Sequence, residues 1–117
     1  MNTNIEHILE KIRKFRDDRD WMQFHDPKNM AVSIAIEAAE LMQEFQWKSK
    51  KEVEEYIEQH KIKVQDEIAD IAMYLFELAD NLNIDLLAAM EEKLQKNIKK
   101  YPVDKAKGNA KKYTELE

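Results

Sequence analysis

Glycine and proline are nearly absent from this chain of 117 residues, which contains one Gly and two Pro. These two residue types interrupt helices more than any others do. Much of the remaining sequence consists of Glu, Lys, Ala and Leu, which are good helix formers. The composition therefore predicts an all-α fold of long helices joined by short turns.

Apolar residues recur at helical intervals and predict four main helices and one short helix. The first predicted main helix ends near Asp18. The other three extend from about Asn29 to Trp47, from about Ile62 to Leu82, and from Leu86 to about Lys100. Ser49 and Glu52 have the spacing of a capping box before the short helix, and Asp85 can cap the last one. Residues 19–29 are predicted to form an ordered loop, and residues 103–117 a polar tail that is extended or wrapped over a neighbour. These elements predict a helical bundle.

The length and charge of the chain restrict its organisation and partners. A chain of 117 residues fits a single domain, here residues 1–117, and helical hairpins of this size often complete their cores by forming oligomers. The net charge of −5 argues against binding a nucleic acid polymer. No apolar stretch approaches the length of a membrane span, and the sequence lacks cysteine. We therefore expect a cytoplasmic protein with no disulfide and no membrane partner.

Two acidic pairs are the feature most indicative of chemistry. Glu37 and Glu40 are three residues apart on the second helix, and Glu67 and Asp70 have the same spacing on the long later helix. Residues three apart share a helix face, so two antiparallel helices can direct four carboxylates into one space. Such a cluster is repulsive without a cation, and oxygen ligands of this kind suit Mg²⁺, with Mn²⁺ as a substitute.

Two alternatives remain beside the magnesium site. Acidic pairs are common on solvated helix faces, although Glu37 lies at the edge of an apolar stripe, where a solvated acid is unexpected. A di-iron bundle uses Glu-x-x-His pairs, and no histidine follows Glu40 or Glu67 at that spacing.

Glu44 lies on the same side as Glu37 and is a candidate fifth acid. Tyr74, one turn after Asp70, is positioned to direct its hydroxyl to the same site.

Several stretches together resemble one known family. Residues 37–41 (Glu-Ala-Ala-Glu-Leu) and 66–71 (Asp-Glu-Ile-Ala-Asp-Ile) look like the ExxE…ExxD signature of the MazG-like nucleotide pyrophosphohydrolases. Residues 19–29, with their Asp-Trp-Met-Gln-Phe-His run, and the Lys-Lys-Tyr-Thr-Glu-Leu run at 111–116 resemble its dCTP pyrophosphatase branch. The resemblance covers nearly the whole chain. It implies a MazG-like helical bundle that is completed by oligomerisation.

The resemblance also implies roles for individual residues. The residues matching the family's Mg²⁺ ligands are Glu37, Glu40, Glu67 and Asp70. The residues expected to bind the substrate, with Tyr74 added from its position, are Trp21, Phe24, His25, Asn29, Trp47, Tyr74, Lys93 and Asn97. Lys93 and Asn97 would hold the phosphates, and the two tryptophans would surround the base. Family members are dimers or dimer-built tetramers, so a homodimer or homotetramer is expected.

The implied reaction is hydrolysis of a nucleoside triphosphate to a monophosphate and pyrophosphate, with dCTP or a modified dCTP as the first candidate. A water molecule would attack the α-phosphorus, and Glu40, or alternatively Glu37, would accept its proton. Such an enzyme would remove unwanted nucleotides or balance the deoxynucleotide pool. The rival hypothesis is a noncatalytic helical oligomer that senses nucleotides or binds a partner.

Overall fold

The computed structural model describes residues 3–117, and the side chains from residue 4 onward. Every regular element in this range is helical. The α-helices are α1 (Thr3–Asp18), α2 (Pro27–Phe45), α3 (Lys50–Gln59), α4 (Lys61–Asn81), α5 (Leu86–Lys100) and α6 (Val103–Ala106). Two short 3₁₀ turns cover Met22–Phe24 and Tyr113–Glu115. The predicted all-α fold and its main helices are confirmed.

The chain divides into two compact units, Met1–Asn83 and Ile84–Glu117. In the first unit, α4 is the central element and contacts α2, α1 and α3. The second unit contains α5, α6 and the C-terminal turn. The expectation of a single domain over residues 1–117 stays a prediction.

Local capping explains where the helices begin. The Asp26 side chain accepts a hydrogen bond from the Asn29 amide at 2.8 Å, and Pro27 occupies the first turn of α2, where it needs no amide donor. Ser49 and Glu52 form both hydrogen bonds of the predicted capping box at the start of α3. Asp85 likewise caps α5, as predicted.

Two segments contain more helix than their sequences indicated. The predicted loop at residues 19–29 includes a 3₁₀ turn, and α2 begins at Pro27. The tail, predicted to be extended or wrapped over a neighbour, forms α6 just after Pro102 and a second 3₁₀ turn. There Tyr113 packs edge-on against Tyr101 at 6.1 Å, and the Lys100 ammonium lies 4.6 Å from the centre of the Tyr113 ring. These contacts hold the turn at Tyr113–Glu115 against the end of α5, an arrangement that periodicity does not reveal.

The apolar core of the described chain is small. Its buried apolar side chains are Met30, Val64 and Ala79. Two apolar residues on the long central helix are exposed, Ile68 by 53% and Leu75 by 42%. The helices that contact α4 leave part of its apolar surface uncovered. No helix among residues 3–117 is long and apolar enough to cross a bilayer.

A bidentate ion pair joins α1 to α4. The Arg13 guanidinium donates from Nε and Nη2 to the two carboxylate oxygens of Asp80, at 2.8 and 2.6 Å. Both side chains are partly buried, and this pairing is more favourable than a typical surface ion pair. The hydrogen bond from Arg13 holds the pKa of Asp80 below its ordinary value of 3.8.

We expect Asp80→Asn to reduce the free energy of unfolding by about 1 kcal/mol at neutral pH. Because the folded-state pKa of Asp80 is lowered, its stabilisation is fully present above 3.8 and is lost as pH falls through the lowered value. The difference between Asp80→Asn and wild type should therefore shrink under acidic conditions in urea unfolding titrations. Asp18→Asn removes an exposed pair with Lys14 and is the matched control, expected to change little. An equal difference at all pH values would contradict this assignment.

Candidate active site

Packing of α2 against α4 brings acids from both predicted pairs together. One carboxylate oxygen from each of Glu37, Glu40 and Glu67 lies within 4.8 Å of the others. The fourth predicted acid, Asp70, is outside this group of three but lines a pocket together with Glu37. The two helices thus bring three of the four predicted acids into one group, and the role of all four as metal ligands stays a prediction.

The electrostatics of the cluster are those of acids without sufficient counter-charge. Burial, followed by a hydrogen bond with Glu40 and the charges of nearby acids, raises the pKa of Glu37. Burial and the charges of Glu40 and Glu44 raise the pKa of Glu67. Both shifts mean that the ionised cluster is unfavourable as it stands. A bound cation would remove this cost.

One oxygen atom of the cluster bears directly on whether the site can hold a metal ion. Oxygen Oε2 of Glu67 is buried and has no hydrogen-bond partner among the described residues. Buried oxygens almost always have a partner, so this one is available as a ligand. Carboxylate oxygens are the donors that Mg²⁺ and Mn²⁺ prefer. The residues present therefore fit a hard divalent cation.

Glu44, the candidate fifth acid, is engaged elsewhere. Its carboxylate accepts a hydrogen bond from the Tyr56 hydroxyl and lies 3.1 Å from the Lys63 ammonium. These contacts join α2 to α3 and α4. Glu44 therefore has a tethering role in this structure, and its charge still acts on Glu67.

A pocket of about 400 Å³ adjoins the acids between α1, the 3₁₀ turn region and α4. Its walls are mostly apolar or aromatic, as is usual for a small-molecule site. Its lining includes Phe15, Arg16, Trp21, His25, Glu37, Asp70, Tyr74 and Glu77. The structure thus places three predicted substrate-binding residues, Trp21, His25 and Tyr74, beside the acidic site.

The chain direction after α1 determines where Trp21 lies. Asp20 adopts a positive φ of 53°, and the Trp21 amide bonds back to the Arg16 carbonyl at 3.0 Å. The indole then packs edge-on against Phe15, with 5.6 Å between ring centres, and remains 41% exposed. Such a ring offers a surface on which a planar base can stack.

Other predicted substrate-binding residues lie outside this pocket. The Asn29 amide donates to the Phe24 carbonyl and to Asp26, so it holds the loop together, and Phe24 itself is 58% exposed. Trp47 is 92% exposed and has a positive φ of 68°, an uncommon conformation for a bulky residue. Their roles at the substrate stay predictions.

Lys93 and Asn97 lie on α5 in the second unit. Their i, i+4 spacing places them on one face of that helix. Lys93 is exposed and Asn97 is partly buried. Their predicted contact with the phosphates also stays a prediction.

Sequence reasoning missed a buried polar group on the pocket wall. Glu77 is only 4% exposed, and its carboxylate lies 2.7 Å from His25 Nδ1 and 3.7 Å from Arg16 Nη1. A helical signal was present, because Glu77 follows Asp70 by seven residues and Tyr74 by three and so shares their face of α4. What periodicity cannot show is that His25 and Arg16 lie opposite that face.

The protein is therefore an all-α protein in which two packed helices share an acidic cluster, a candidate metal site, beside an aromatic pocket. Residues 32–116 match the model of the MazG-like family, and the chain belongs to that family.

Individual relatives agree with this assignment. The chain is 38% identical to dCTP pyrophosphatase 1 of Rattus norvegicus and 36% identical to that of Homo sapiens, each over 95% of this chain and 69% of the relative. A solved pyrophosphatase structure from Archaeoglobus fulgidus is 45% identical and superposes with a TM-score of 0.83, covering 87% of this chain and 95% of that one.

Proposed function

We propose that the protein is a magnesium-dependent enzyme that hydrolyses dCTP, or a modified dCTP, to the monophosphate and pyrophosphate. That the chain is a nucleotide pyrophosphohydrolase follows from its similarity to dCTP pyrophosphatases and to the archaeal pyrophosphatase. The observation that carries the rest is the carboxylate cluster of Glu37, Glu40 and Glu67 beside an aromatic pocket. In such an enzyme, the acids hold the metal and the pocket holds the base.

Four acids would hold the metal, namely Glu37, Glu40, Glu67 and Asp70. The buried oxygen of Glu67, which has no hydrogen-bond partner in the part of the chain that the structure describes, and the raised pKa of Glu37 support this assignment. When bound, Mg²⁺ neutralises triphosphate charge and polarises phosphorus. The site needs no covalent nucleophile.

The chain's own contribution to the chemistry is a carboxylate that orients water and takes its proton. Glu40 has this role in our proposal, and Glu37 is the alternative. The two side chains are hydrogen-bonded to each other, and this contact helps to raise the pKa of Glu37. A carboxylate whose pKa is raised is a stronger base than an ordinary one, and in its ionised form it is suited to accepting a proton during the attack of water on the α-phosphorus.

The base would lie in the pocket against Trp21, His25 and Tyr74. Burial, followed by the charges of nearby acids, raises the pKa of Tyr74, so its hydroxyl keeps its proton and can donate a hydrogen bond. Roles for Lys93 and Asn97 at the phosphates, and for Phe24, Asn29 and Trp47 around the base, belong to the same proposal.

We also propose that the enzyme works as a homodimer or homotetramer in the cytoplasm, on nucleotides and not on nucleic acid polymers or membranes. Exposed apolar residues on the central helices support oligomerisation, among them Ile36, Met42 and Ile68, which are 53–56% exposed. A second copy that covered them would complete the small core. Sedimentation should then give at least twice the chain mass of 14.0 kDa.

Pyrophosphate release from a panel of canonical and modified NTPs and dNTPs tests the function. We expect release with Mg²⁺ or Mn²⁺, none with EDTA, and the highest kcat/KM for dCTP or a modified dCTP. Preference for another nucleotide would correct the substrate while leaving the reaction intact. If folded, oligomeric protein released no pyrophosphate from any nucleotide, the noncatalytic binding module would be the better description.

A further inference from the structure

Glu77 is a buried acid on the pocket wall that the proposed chemistry does not use. Its side chain is 5% exposed, and it lies in contact with His25, a residue 52 positions away in the chain. Burying a carboxylate is costly unless it is well paired. The arrangement of its partners therefore indicates what it does.

Three polar groups surround the Glu77 carboxylate. His25 Nδ1 lies 2.7 Å from Oε2 and 3.0 Å from Oε1, so both carboxylate oxygens are within hydrogen-bond distance of this nitrogen. The Asn81 amide donates to Oε2 at 3.1 Å. Arg16 lies 3.7 Å from the same oxygen and also donates to Asn81 Oδ1 at 3.1 Å. Asn81 and Arg16 thus hold Glu77 in place, and Glu77 in turn holds the imidazole.

The ring of His25 has a second nitrogen, and that nitrogen is available to a ligand. A carboxylate can only accept, so Nδ1 must carry the proton in this contact. In the neutral ring, Nε2 then has a free lone pair, and no hydrogen bond to it exists among residues 3–117. His25 lines the same pocket as Trp21 and Tyr74.

We propose that Glu77 is a positioning residue that holds His25 with its proton on Nδ1, so that Nε2 accepts a hydrogen bond from an exocyclic amino group of the base. This inference rests on the proposed function and adds a basis for its substrate preference. A lone pair at Nε2 favours bases with an amino group, such as cytosine, and disfavours the keto group at the same position of uracil. A site built to accept a hydrogen bond rejects the analogue that cannot donate one.

The kinetic test compares kcat/KM for dCTP and dUTP in each variant. Because both substrates are measured on the same preparation, any unfolded fraction cancels from the ratio. Glu77→Met removes the acceptor and should reduce the dCTP preference by about tenfold or more. Glu77→Gln can still accept from Nδ1 and should keep most of the preference. Asp80→Asn is the control, since it weakens the contact of α1 with α4 through Arg13 without touching the pocket.

A purely structural role for Glu77 gives a different pattern. Glu77→Met would then lower activity towards both nucleotides equally, as Asp80→Asn should, and the ratio would stay at its wild-type value. That result would overturn the inference while leaving the proposed function in place.

A spectroscopic test does not depend on turnover. The ¹⁵N chemical shifts of His25 should report a protonated Nδ1 and an unprotonated Nε2 in wild type and Glu77→Gln, and lose this distinction in Glu77→Met. A nonhydrolysable α,β-methylene analogue of dCTP should shift the Nε2 resonance, and the dUTP analogue should shift it much less. Equal responses to the two analogues, or a proton on Nε2, would overturn the inference. Absence of turnover in the wild type would instead contradict the proposed function.

Discussion

Glu40→Gln and Asp70→Asn are each expected to reduce pyrophosphate release by about a thousandfold with little change in helix content. Glu40 lies within 4.8 Å of Glu37 and Glu67, and Asp70 lines the adjoining pocket with Glu37. Each substitution removes one negative charge from the proposed site without changing side-chain size greatly. The measurement is steady-state release from the best substrate of the panel, with circular dichroism of each variant.

The matched control is Asp66→Asn, which makes the same chemical change as Asp70→Asn at a position four residues before Asp70 on α4. Asp66 is exposed and outside both the carboxylate group and the aromatic pocket. We expect it to keep wild-type activity. If Glu40→Gln and Asp70→Asn kept full activity too, the acidic cluster would not be the active site.

Metal binding is expected to have the second-largest effect, on stability as well as on activity. Burial raises the pKa of both Glu37 and Glu67, so their ionised forms cost folding free energy near neutral pH. A cation bound only by the folded state reverses this cost. At a Mg²⁺ concentration of 100 times Kd, the gain is roughly 2.7 kcal/mol. Thermal unfolding in EDTA and in Mg²⁺ measures it directly.

Glu67→Gln distinguishes the cost of the Glu67 charge in the metal-free protein from the contribution of Glu67 to metal binding. In EDTA this variant should unfold at a higher temperature than wild type, because a buried charge among like charges has been removed. In Mg²⁺ it should gain little, because a ligand has been lost. Asp66→Asn should behave like wild type in both conditions. Equal stabilisation of wild type and Glu67→Gln by Mg²⁺ would contradict the assignment of Glu67 as a ligand.

A variant that is more stable than wild type in EDTA but gains little from Mg²⁺ would distinguish a metal site from a solvated helix face. A cluster of acids that destabilises the metal-free protein and is stabilised by Mg²⁺ behaves as a metal site. Acids that merely solvate a helix face would be neutral to charge removal. The stability of Glu67→Gln in EDTA therefore tests the solvated-face alternative independently of any enzyme assay.

The helices and their ends were predictable because the signals for them are local. Ser49 and Glu52 are three residues apart, and their capping box depends only on that spacing. The pairing of Glu37 with Glu40 on one face likewise follows from helix geometry. The short turns at residues 22–24 and 113–115 were missed, because a single turn is too short to have a period.

Contacts between distant residues were harder to anticipate. Glu44 seemed equivalent to its acidic neighbours until Tyr56 and Lys63 were found to engage it. Trp21 and Trp47 looked alike in the sequence, yet Trp21 lines the pocket and Trp47 is 92% exposed. In each case, the outcome depends on which surface another helix or loop presents.

The sequence by itself determined an all-α protein, the positions of its long helices, and the four acids that share two helix faces. These properties depend on propensity and on a period of 3.6 residues, which any stretch of chain carries within itself. The tertiary structure alone decided that Glu37, Glu40 and Glu67 converge, and that Glu77 meets His25 and Arg16 across the pocket. Those meetings depend on how α1, α2 and α4 pack, and that packing is a property of the assembled chain.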